Sequence, residues 1–558
     1  MSSNFKGAAA SAGVAVGPAF FYRPVSDEPL PDFDDPAAAF HVAVEATVAE
    51  LRELQAAATA AERAQAADVM GAQAAMAEDP MMVTEVESRL LAGISLDTAT
   101  SEVSDQLSSM LASLDDPYLA ARSQDVVEVM GRIRTQLSGK ERASLALDRP
   151  MIIVTDELSA ADAVNLDPGR VLGFVTSRGG PTGHVAVIAR SLGIPAVVGI
   201  AGIAAIVADV IAINGSTGEV VADPDEDTLA RFQQAIESEA RQREADATYS
   251  GRSVFYDGRP IRVAANVGGS EDVAASLHAD GIGLYRTEFL FLDRDRPPTE
   301  DEQYEAYAEA AASFAHPVVV RTFDIGGDKP AEYLAIEPEE NPFLGVRGVR
   351  LYESQAELFA SQLRALLRAA TQGDLWVMIP MVSTVAEVLA VRRAMAQAED
   401  SLAADGTEFG AVKLGVMIEV PSAAISAPQL ARHVDFFSIG TNDLTQYTMA
   451  TDRTSGVLAA YSDPAHPAVL QLCALTAQAA TAAGISVAVC GEAGSDPVTA
   501  ALFLGMGMDK LSVAAPRVNA IRALTDQLDP KRVTAALQRS LGADSASEVR
   551  EIVGDILP

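Results

Sequence analysis

Residues 179–190 read GGPTGHVAVIAR, a glycine-rich turn that ends in a histidine and continues into a helical pattern. Glycines allow the tight backbone, and Val185 and Ile188 recur at the spacing of one buried helix face. His184 is therefore expected at a helix start, where free amides and the positive end of the helix dipole favour an anion. An imidazole there can carry a phosphoryl group, with Thr182 adding a hydrogen bond. A polar helix cap is an equally open alternative.

Composition limits the class of protein. A chain of 558 residues is too long for one core, so roughly two to four domains are expected. The net charge of −36, from 41 basic and 77 acidic residues, argues against binding nucleic acid or an anionic membrane, because phosphate neutralisation needs clustered Lys and Arg. A well-solvated acidic surface is the simplest explanation of this charge.

Cysteine content and hydropathy point to the cytoplasm. Two cysteines, Cys473 and Cys490, are too few for a disulfide scaffold or a cysteine-rich metal site. The sequence has no apolar run of about 18 residues, the length needed to span a bilayer. Residues 6–21, KGAAASAGVAVGPAFF, are broken by glycines and a proline and lack a strongly basic start, so they predict a strand with turns rather than a secretion signal.

A helical region occupies much of the first half. After the acidic break PLPDFDDP, residues 37–137 are almost entirely helix-compatible, with interruptions at Asp79-Pro80, Gly93 and Asp116-Pro117. This pattern predicts an inserted helical subdomain over 31–144. Between residues 32 and 142 the sequence holds twenty acidic and eight basic residues, which would attract a basic partner, although most such charge is only a solvated helix surface.

Short apolar strands surround this insertion. Residues 171–176 read VLGFVT, and an Asn-Gly pair between two further strands in VIAINGSTGEVVADP is a hairpin signal. Other strand candidates are MIIVT at 151–155 and AVVGI at 196–200. Together with the N-terminal strand, these segments predict one α/β domain from residues 1–30 and 145–223, to which His184 belongs.

The second half has a different pattern. Residues 224–250 contain a polar helix that we expect to link two domains, and residues 251–558 alternate between strand and helix. Eight βα units over roughly 300 residues are typical of a TIM barrel. The eight strand candidates are IRVAANV, IGLYRT, VVVRTFD, LWVMIPM, LGVMIEV, FFSIGT, VAVCGEA and KLSVA.

Barrels place their chemistry at the carboxyl ends of the strands. The polar residues expected there are Arg286, Arg321, Lys329, Arg347, Arg350, Glu419, Asn442, Asp443, Arg453 and Cys490. Arginine binds phosphate and carboxylate bidentately, so the cluster predicts recognition of a small, highly charged anion. Glu419 and Asp443 are suited to Mg²⁺, which commonly bridges protein carboxylates to substrate phosphate.

Each of these residues also has a structural explanation. Asp443 can be a helix N-cap, Glu419 the partner of an arginine, and Cys490 a small buried apolar residue. Jointly these explanations fail, because the residues fall at the same predicted end of different strands. The constellation therefore indicates phosphoryl transfer, which relies on positioning and charge neutralisation.

In order along the chain, the motifs resemble those of the enzyme I family of the phosphoenolpyruvate-dependent sugar phosphotransferase system. The similarity covers nearly the whole chain and rests on SAGVAVGPAF, GGPTGHVAVIAR, GIGLYRTEFLFLDR, RTFDIGGDK, NPFLGVRGVR, IEVPSA, IGTNDLTQYTMATDR and CGEAG. It implies that His184 takes the phosphoryl group of phosphoenolpyruvate (PEP) on Nε2 and passes it to a histidine of the carrier HPr, with release of pyruvate. The helical insertion would then bind HPr, and the barrel would bind PEP and form the homodimer.

The resemblance also implies individual roles. Cys490 would protonate the enolate, in agreement with an ordinary thiol pKa of about 8.5, and Glu419 and Asp443 would ligate Mg²⁺. Contacts to PEP are expected from Arg286, Arg321, Lys329, Arg347, Asn442, Asp443 and Arg453. Pro181 and Gly183 stand where family members often have arginine and serine, so we expect altered phosphohistidine stability or partner preference but the same reaction class.

Three other functions are alternatives. A PEP-forming dikinase shares the histidine domain and the barrel, but it carries a large ATP-grasp domain for which the sequence before His184 has no room. A regulatory protein that phosphorylates nothing is disfavoured by the intact His184, Glu419, Asp443 and Cys490. A free-standing Mg²⁺-dependent lyase or aldolase would leave the N-terminal half without a purpose.

Overall fold

The protein is described from a computed structural model. The structure describes residues 3–22, 29–60, 64–112, 123–139, 147–156, 158, 168–180, 185–186, 189, 193–292, 294–326, 331, 333–334, 336–337, 339–452, 458 and 461–558. The chain divides into two compact units, Met1–Arg241 and Gln242–Pro558. Within the described ranges, no helix is long and apolar enough to cross a membrane.

The first unit contains an eight-stranded mixed sheet. Its strands are β1 (Ser3–Lys6), β2 (Ala8–Ser11), β3 (Val14–Tyr22), β4 (Met151–Thr155), β5 (Val171–Thr176), β6 (Ala196–Val198), β7 (Val210–Asn214) and β8 (Glu219–Ala222). Their spatial order is β1-β8-β7-β3-β4-β5-β6-β2. Strands β3 to β6 run parallel, and β3 pairs directly with β4, so the helical region is inserted between two neighbouring strands.

The predicted Asn-Gly hairpin is formed by β7 and β8. Asn214 pairs with Glu219, and the Oδ1 atom of Asn214 accepts the backbone N–H groups of Ser216 and Thr217, both at 3.0 Å. Gly218 closes the turn with a φ of 78°, a left-handed conformation that favours glycine. The turn is thus built by an asparagine side chain at one end and a glycine at the other.

The inserted region is helical, as predicted. Its helices in the described residues are α1 (Pro36–Ala60), α2 (Ala64–Ala77), α3 (Pro80–Leu91), α4 (Leu96–Ala112) and α5 (Ser123–Ser138). Asp79 begins α3 by accepting the Met81 N–H at 2.7 Å, and Gly93 adopts a φ of 82° just after the helix ends. The predicted break at Asp116-Pro117 lies outside the described residues. Helix α6 (Glu226–Ala247) follows β8 and buries Phe232.

The second unit is a closed barrel of eight parallel strands, which confirms the predicted TIM barrel. The barrel strands are β10 (Arg259–Val267), β11 (Ile282–Tyr285), β12 (Val318–Arg321), β13 (Leu375–Ile379), β14 (Lys413–Ile418), β15 (Phe436–Ile439), β16 (Ser486–Val489) and β17 (Lys510–Ala514). Strand β9 (Val254–Tyr256) pairs antiparallel with β10 outside the ring. Each barrel strand overlaps one of the eight apolar segments singled out in the sequence, and β10, β14 and β16 begin one or two residues earlier.

Helices surround the barrel, and apolar side chains fill its interior. The helices are α7 (Ser270–Ala275), α8 (Glu300–Ser313), α9 (Ala356–Ala369), α10 (Val385–Asp405), α11 (Pro421–Ile425), α12 (Ala427–Leu430), α13 (Thr441–Met449), α14 (Pro467–Ala483), α15 (Pro497–Gly505), α16 (Val518–Gln527), α17 (Pro530–Leu541) and α18 (Ala546–Gly554). One buried cluster comprises Leu284, Val319, Trp376, Met378, Met417, Phe436 and Cys490. The interior is therefore a packed core, which leaves the strand ends for chemistry.

Candidate active site

The carboxyl ends of the barrel strands, here called the barrel mouth, bring several predicted site residues together. Arg321 ends β12, Glu419 follows β14 directly, and Cys490 follows β16 directly. Asp443 lies in the first turn of α13, after β15, and Arg347 lies in the segment between β12 and α9. All five side chains are buried. The closed ring of parallel strands explains why residues so far apart in sequence converge.

Asp324 holds the two buried arginines of the barrel mouth. Its Oδ1 accepts from Arg347 Nε at 3.1 Å, and its Oδ2 accepts from Arg347 Nη2 at 2.7 Å. Arg321 Nη1 lies 3.2 Å from the same Oδ2, and Arg321 Nη2 donates to Glu288 at 2.5 Å. The Asp324 side chain is 0% exposed. Two guanidinium groups are thus fixed in place before any substrate arrives.

These carboxylates keep the arginines charged. Burial alone would lower the pKa of Arg347, but the neighbouring Asp324 and then Asp443 raise it above its ordinary value. Burial likewise opposes the charge of Arg321, while Glu288 and Asp324 raise its pKa. Arg347 Nη1 also lies 3.5 Å from Asp443 Oδ1. The mouth therefore contains buried positive charge suited to a small anion.

The surroundings of Glu419 disfavour its charged form, in contrast to those of the two arginines. Burial, followed by the charges of Asp443 and Asp324, raises the pKa of Glu419 to about 8, and the opposing effects of Arg321 and Arg347 are smaller. One of its oxygens, Oε1, accepts the backbone N–H of Met381 at 2.6 Å. An ionised Glu419 beside Asp443 needs additional positive charge, which a divalent cation supplies.

The backbone of Met381, which donates this N–H group to Glu419, is strained. Its φ is 60°, a left-handed conformation that is unusual for a residue with a side chain. The neighbouring Gly348 has a φ of 55°, and a Cβ at that position would lie 3.1 Å from both Asp324 Oδ1 and Met381 Cβ. Strain of this kind costs on the order of 1–3 kcal/mol and persists where the surroundings fix the conformation. At Met381 the strained conformation directs the backbone N–H group toward Glu419.

The donor set fits Mg²⁺. In the part of the chain that the structure describes, no group of three or more His, Cys, Asp or Glu side chains is arranged to hold a metal. Mg²⁺ is commonly bound by only one or two carboxylates, and water and substrate phosphate complete its octahedron. Two buried carboxylates that repel each other, Glu419 and Asp443, match this mode of binding better than an all-protein cage.

Cys490 is a protonated thiol at the barrel mouth. It is 1% exposed, and its Sγ donates to the carbonyl oxygen of Ile439 at 3.6 Å. Burial raises its pKa to about 11, although Ser438, Arg321 and Arg286 lower it and Glu419 raises it. At neutral pH this side chain is a proton donor rather than a nucleophile. Cys473 is also buried, but it lies in α14.

Asn442 joins two strand-end loops. Its Oδ1 accepts the backbone N–H of Glu492 at 3.0 Å, which links the start of α13 to the loop after β16. Gly491 lies against the same turn, since a Cβ there would meet Thr441 Oγ1 at 1.9 Å. Arg286 is exposed and follows β11 directly, so it lies at the same end of the barrel. Both predicted substrate contacts are thus at the barrel mouth.

Some predicted residues cannot be located in this way. His184, Lys329 and Arg453 lie outside the described residues, so their roles stay predictions. Arg350 has a structural role, because Nη1 donates to the carbonyl oxygens of Leu344 and Gly345 at 3.0 and 2.9 Å. Its Nη2 donates to Ser383 Oγ at 3.3 Å, so Arg350 holds the loop that carries Arg347, and a contribution to anion binding stays a prediction.

Three residues of the site were not predicted from the sequence. Glu288 and Asp324 lie inside quoted motifs, and a carboxylate soon after a barrel strand could have identified both. Met381 has no sequence signal, because its contribution is a backbone N–H placed by an unusual conformation. The fold and these contacts define a (β/α)8 barrel whose mouth holds buried arginines beside two carboxylates, an arrangement suited to a small polyanion.

Comparison with known proteins identifies the family. Residues 242–530 match the PEP-binding domain of PEP-utilising enzymes, residues 147–218 the mobile domain, and residues 6–122 the N-terminal domain. The chain belongs to the PEP-utilising enzyme family, and it is an enzyme of the phosphotransferase class.

Several relatives are similar over their full length. A phosphoenolpyruvate-protein phosphotransferase of Listeria monocytogenes is 37% identical over 566 aligned positions, covering 99% of each chain. A phosphoenolpyruvate-protein phosphotransferase of Haloferax volcanii is 39% identical over 561 positions, covering 96% of each chain. A solution structure of an Enzyme I protein is 31% identical, with a TM-score of 0.36, and the match covers 42% of this chain and 99% of that chain.

Proposed function

We propose that this protein transfers the phosphoryl group of PEP to Nε2 of His184 and from there to a histidine of an HPr-type phosphocarrier, releasing pyruvate. The observation that carries the proposal is the buried network in which Asp324 holds Arg321 and Arg347 beside Glu419 and Asp443. The names of the full-length relatives support the same reaction.

The arginines of the barrel mouth would bind the substrate. Arg321 and Arg347 are held in position by carboxylates and so need little reorganisation when an anion binds. Asn442 and Arg286 line the same mouth, and Lys329 and Arg453 are proposed to complete the set of PEP contacts. Glu419 and Asp443 would hold Mg²⁺, which when bound neutralises charge on the phosphoryl oxygens.

The chemistry would proceed by breaking one bond and forming another. The bond between phosphorus and the enol oxygen of PEP breaks, the electron pair stays on that oxygen, and a bond forms between phosphorus and Nε2 of His184. The enolate then takes a proton on its terminal carbon from the Cys490 thiol. A pKa of about 11 supports this role, because the thiol keeps its proton at neutral pH until a strong base such as an enolate is present.

The proposal gives each part of the chain a task. Residues 1–30 and 145–223 would form the phosphohistidine domain, and residues 31–144 would bind HPr, whose basic face would complement the acidic insertion. Residues 224–250 would link this half to a PEP-binding and dimerising barrel at 251–558. The protein is expected to act in the cytoplasm, where PEP and the carrier are available.

Incubation of the purified protein with radiolabelled PEP and Mg²⁺, with and without HPr, tests the proposal. We expect label on the protein when HPr is absent and on HPr when it is present. His184→Ala should abolish labelling while circular dichroism shows an intact fold, and a labelled variant would mean that another residue accepts the phosphoryl group. ATP and pyruvate should yield no PEP, because PEP formation would favour a dikinase.

A further inference from the structure

The last helix of the chain fastens two loops of the barrel mouth. Arg550 in α18 donates from Nε and Nη2 to the two carboxylate oxygens of Asp463, both at 2.8 Å. Its third nitrogen, Nη1, donates to Oδ2 of Asp496, also at 2.8 Å. Residues 242–530 match the PEP-binding domain, so Arg550 comes from outside the matched region.

Asp496 ends the loop that begins with Cys490. This loop contains the helical turn Glu492–Ser495, and Asp496 then caps α15 by accepting the Val498 N–H at 3.0 Å. The inner part of the loop is fixed by the hydrogen bond from the Glu492 N–H to Asn442. The loop is therefore held at its inner side by a predicted PEP contact and at its outer end by Arg550.

Asp463 lies at the end of a second segment. Thr451 and Ser462 are joined through their hydroxyl groups at 3.1 Å, and the chain between them includes Arg453 in sequence. Asp463 follows directly, and its Oδ1 also accepts the Ala465 N–H at 2.9 Å. Burial would raise the pKa of Asp463, but its hydrogen bonds with Arg550 bring the pKa below the ordinary value, so the carboxylate is ionised.

One guanidinium group thus joins two acids from different loops. The Arg550 side chain is 39% exposed, and each aspartate side chain is 26% exposed, so solvent only partly screens the charges. Three charge-assisted bonds in a planar fork restrict direction as well as distance. A lysine at this position would supply the charge without the fork.

From these contacts we propose that Arg550 is a positioning residue for the PEP half-reaction: it fixes the loop of Cys490 relative to Asp463, which lies just before α14. This inference rests on the proposed function. Arg550 touches no reacting atom, and its effect is transmitted through Asp463 and Asp496.

The test compares Arg550→Gln and Arg550→Lys with Arg532→Gln in the full chain. Arg532 is a matched control, because its Nη2 donates to the carbonyl oxygen of Asp555 and so fastens the same C-terminal segment without reaching a mouth loop. We expect Arg550→Gln to lower kcat/KM for PEP roughly tenfold and Arg550→Lys to recover part of the loss. Transfer from preformed phosphoprotein to HPr should be unchanged.

A second readout does not depend on PEP. Alkylation by iodoacetamide, followed by mass spectrometry, measures opening of the Cys490 loop, with Cys473 as the internal reference. Arg550→Gln should accelerate alkylation of Cys490 severalfold, whereas Arg532→Gln should not. Unchanged Cys490 alkylation in Arg550→Gln, or an equal change in Arg532→Gln, would overturn the inference. A wild-type protein that takes no label from PEP would instead contradict the proposed function, and the alkylation result would still decide the role of Arg550.

Discussion

The two ends of the barrel are formed by the same strands, but the charged side chains at each end have different surroundings. At the amino ends, Lys413 and Lys510 lie 4.3 and 4.7 Å from the centre of the Trp376 ring, and Phe436 packs against that ring at 4.9 Å. The Trp376 Nε1 donates to Asp374 at 2.8 Å. Cations there rest on an aromatic surface, an attraction that offsets part of the cost of burying Lys510 and needs no ligand.

The barrel mouth leaves its polar groups incompletely paired. Among the described residues of the mouth, the buried atoms Arg321 Nε and Thr441 Oγ1 have no hydrogen-bond partner. Buried groups of this kind lower stability by roughly 1–3 kcal/mol each. At the amino end the cations are thus set against an aromatic ring, whereas at the mouth buried charges are held in a network that can receive an anion.

Asp324→Asn should have the largest effect, because it breaks the network at the mouth. The variant leaves Arg321 and Arg347 buried with less compensating charge, which should reduce the free energy of unfolding by about 3–5 kcal/mol. Loss of arginine orientation should also lower kcat/KM for PEP roughly a hundredfold. Urea unfolding and pyruvate release measure the two effects.

Asp374→Asn is the control for that experiment at the amino end. Its side chain accepts from the Trp376 indole, and an asparagine oxygen can still accept, so PEP turnover should stay within about twofold of wild type. Equal losses of activity in Asp324→Asn and Asp374→Asn would contradict the claim that PEP turnover depends on the mouth and not on the amino end.

Glu419→Gln should separate stability from metal binding. Without Mg²⁺ the variant should be at least as stable as wild type, because a buried carboxylate with a raised pKa and two acidic neighbours is replaced by a neutral amide. Mg²⁺ at a hundred times its Kd should stabilise wild type by about 2.7 kcal/mol and the variant by much less. Thermal unfolding with and without Mg²⁺ checks this, and an equal Mg²⁺ effect in both proteins would exclude Glu419 as a ligand.

The strands were predictable, because parallel barrel strands are buried on both faces and form continuous apolar runs. Residues such as Arg321 and Cys490 could then be assigned to the site, since each follows or ends a strand. Pairing across loops was not predictable from local sequence. Arg347 and Arg350 lie three positions apart in one motif, yet the first enters the buried network and the second binds loop carbonyls.

A backbone feature separates those two arginines. Gly348 adopts a φ of 55°, which interrupts any regular periodicity in NPFLGVRGVR. The left-handed backbone of Met381 is likewise set by its surroundings, because Glu419 and Gly348 approach it from distant parts of the chain. Such features depend on tertiary contacts, and neither propensity nor spacing encodes them.

Lys510→Met changes a buried charge at the amino end, far from the predicted substrate contacts, so its effect on activity should be the smallest. Burial lowers the pKa of Lys510 to about 8, below the ordinary 10.5, so the folded state binds fewer protons than the unfolded state between these pH values. The destabilisation is therefore fully present below pH 8 and disappears as the pH rises toward 10.5. At pH 7 the variant should be more stable by about 2–3 kcal/mol, after allowing about 1 kcal/mol for the lost aromatic contact.

The pH dependence shows whether the expected stabilisation of Lys510→Met comes from removal of a buried charge or from better packing of the methionine side chain. Urea unfolding at pH 7 and pH 10 should show the advantage of Lys510→Met shrinking as the wild-type lysine loses its proton in the folded state. Lys413 is exposed and lies over the same ring, so Lys413→Met should change stability by less than about 1 kcal/mol at either pH. A pH-independent gain in Lys510→Met would mean that side-chain volume, rather than buried charge, limits stability at the amino end.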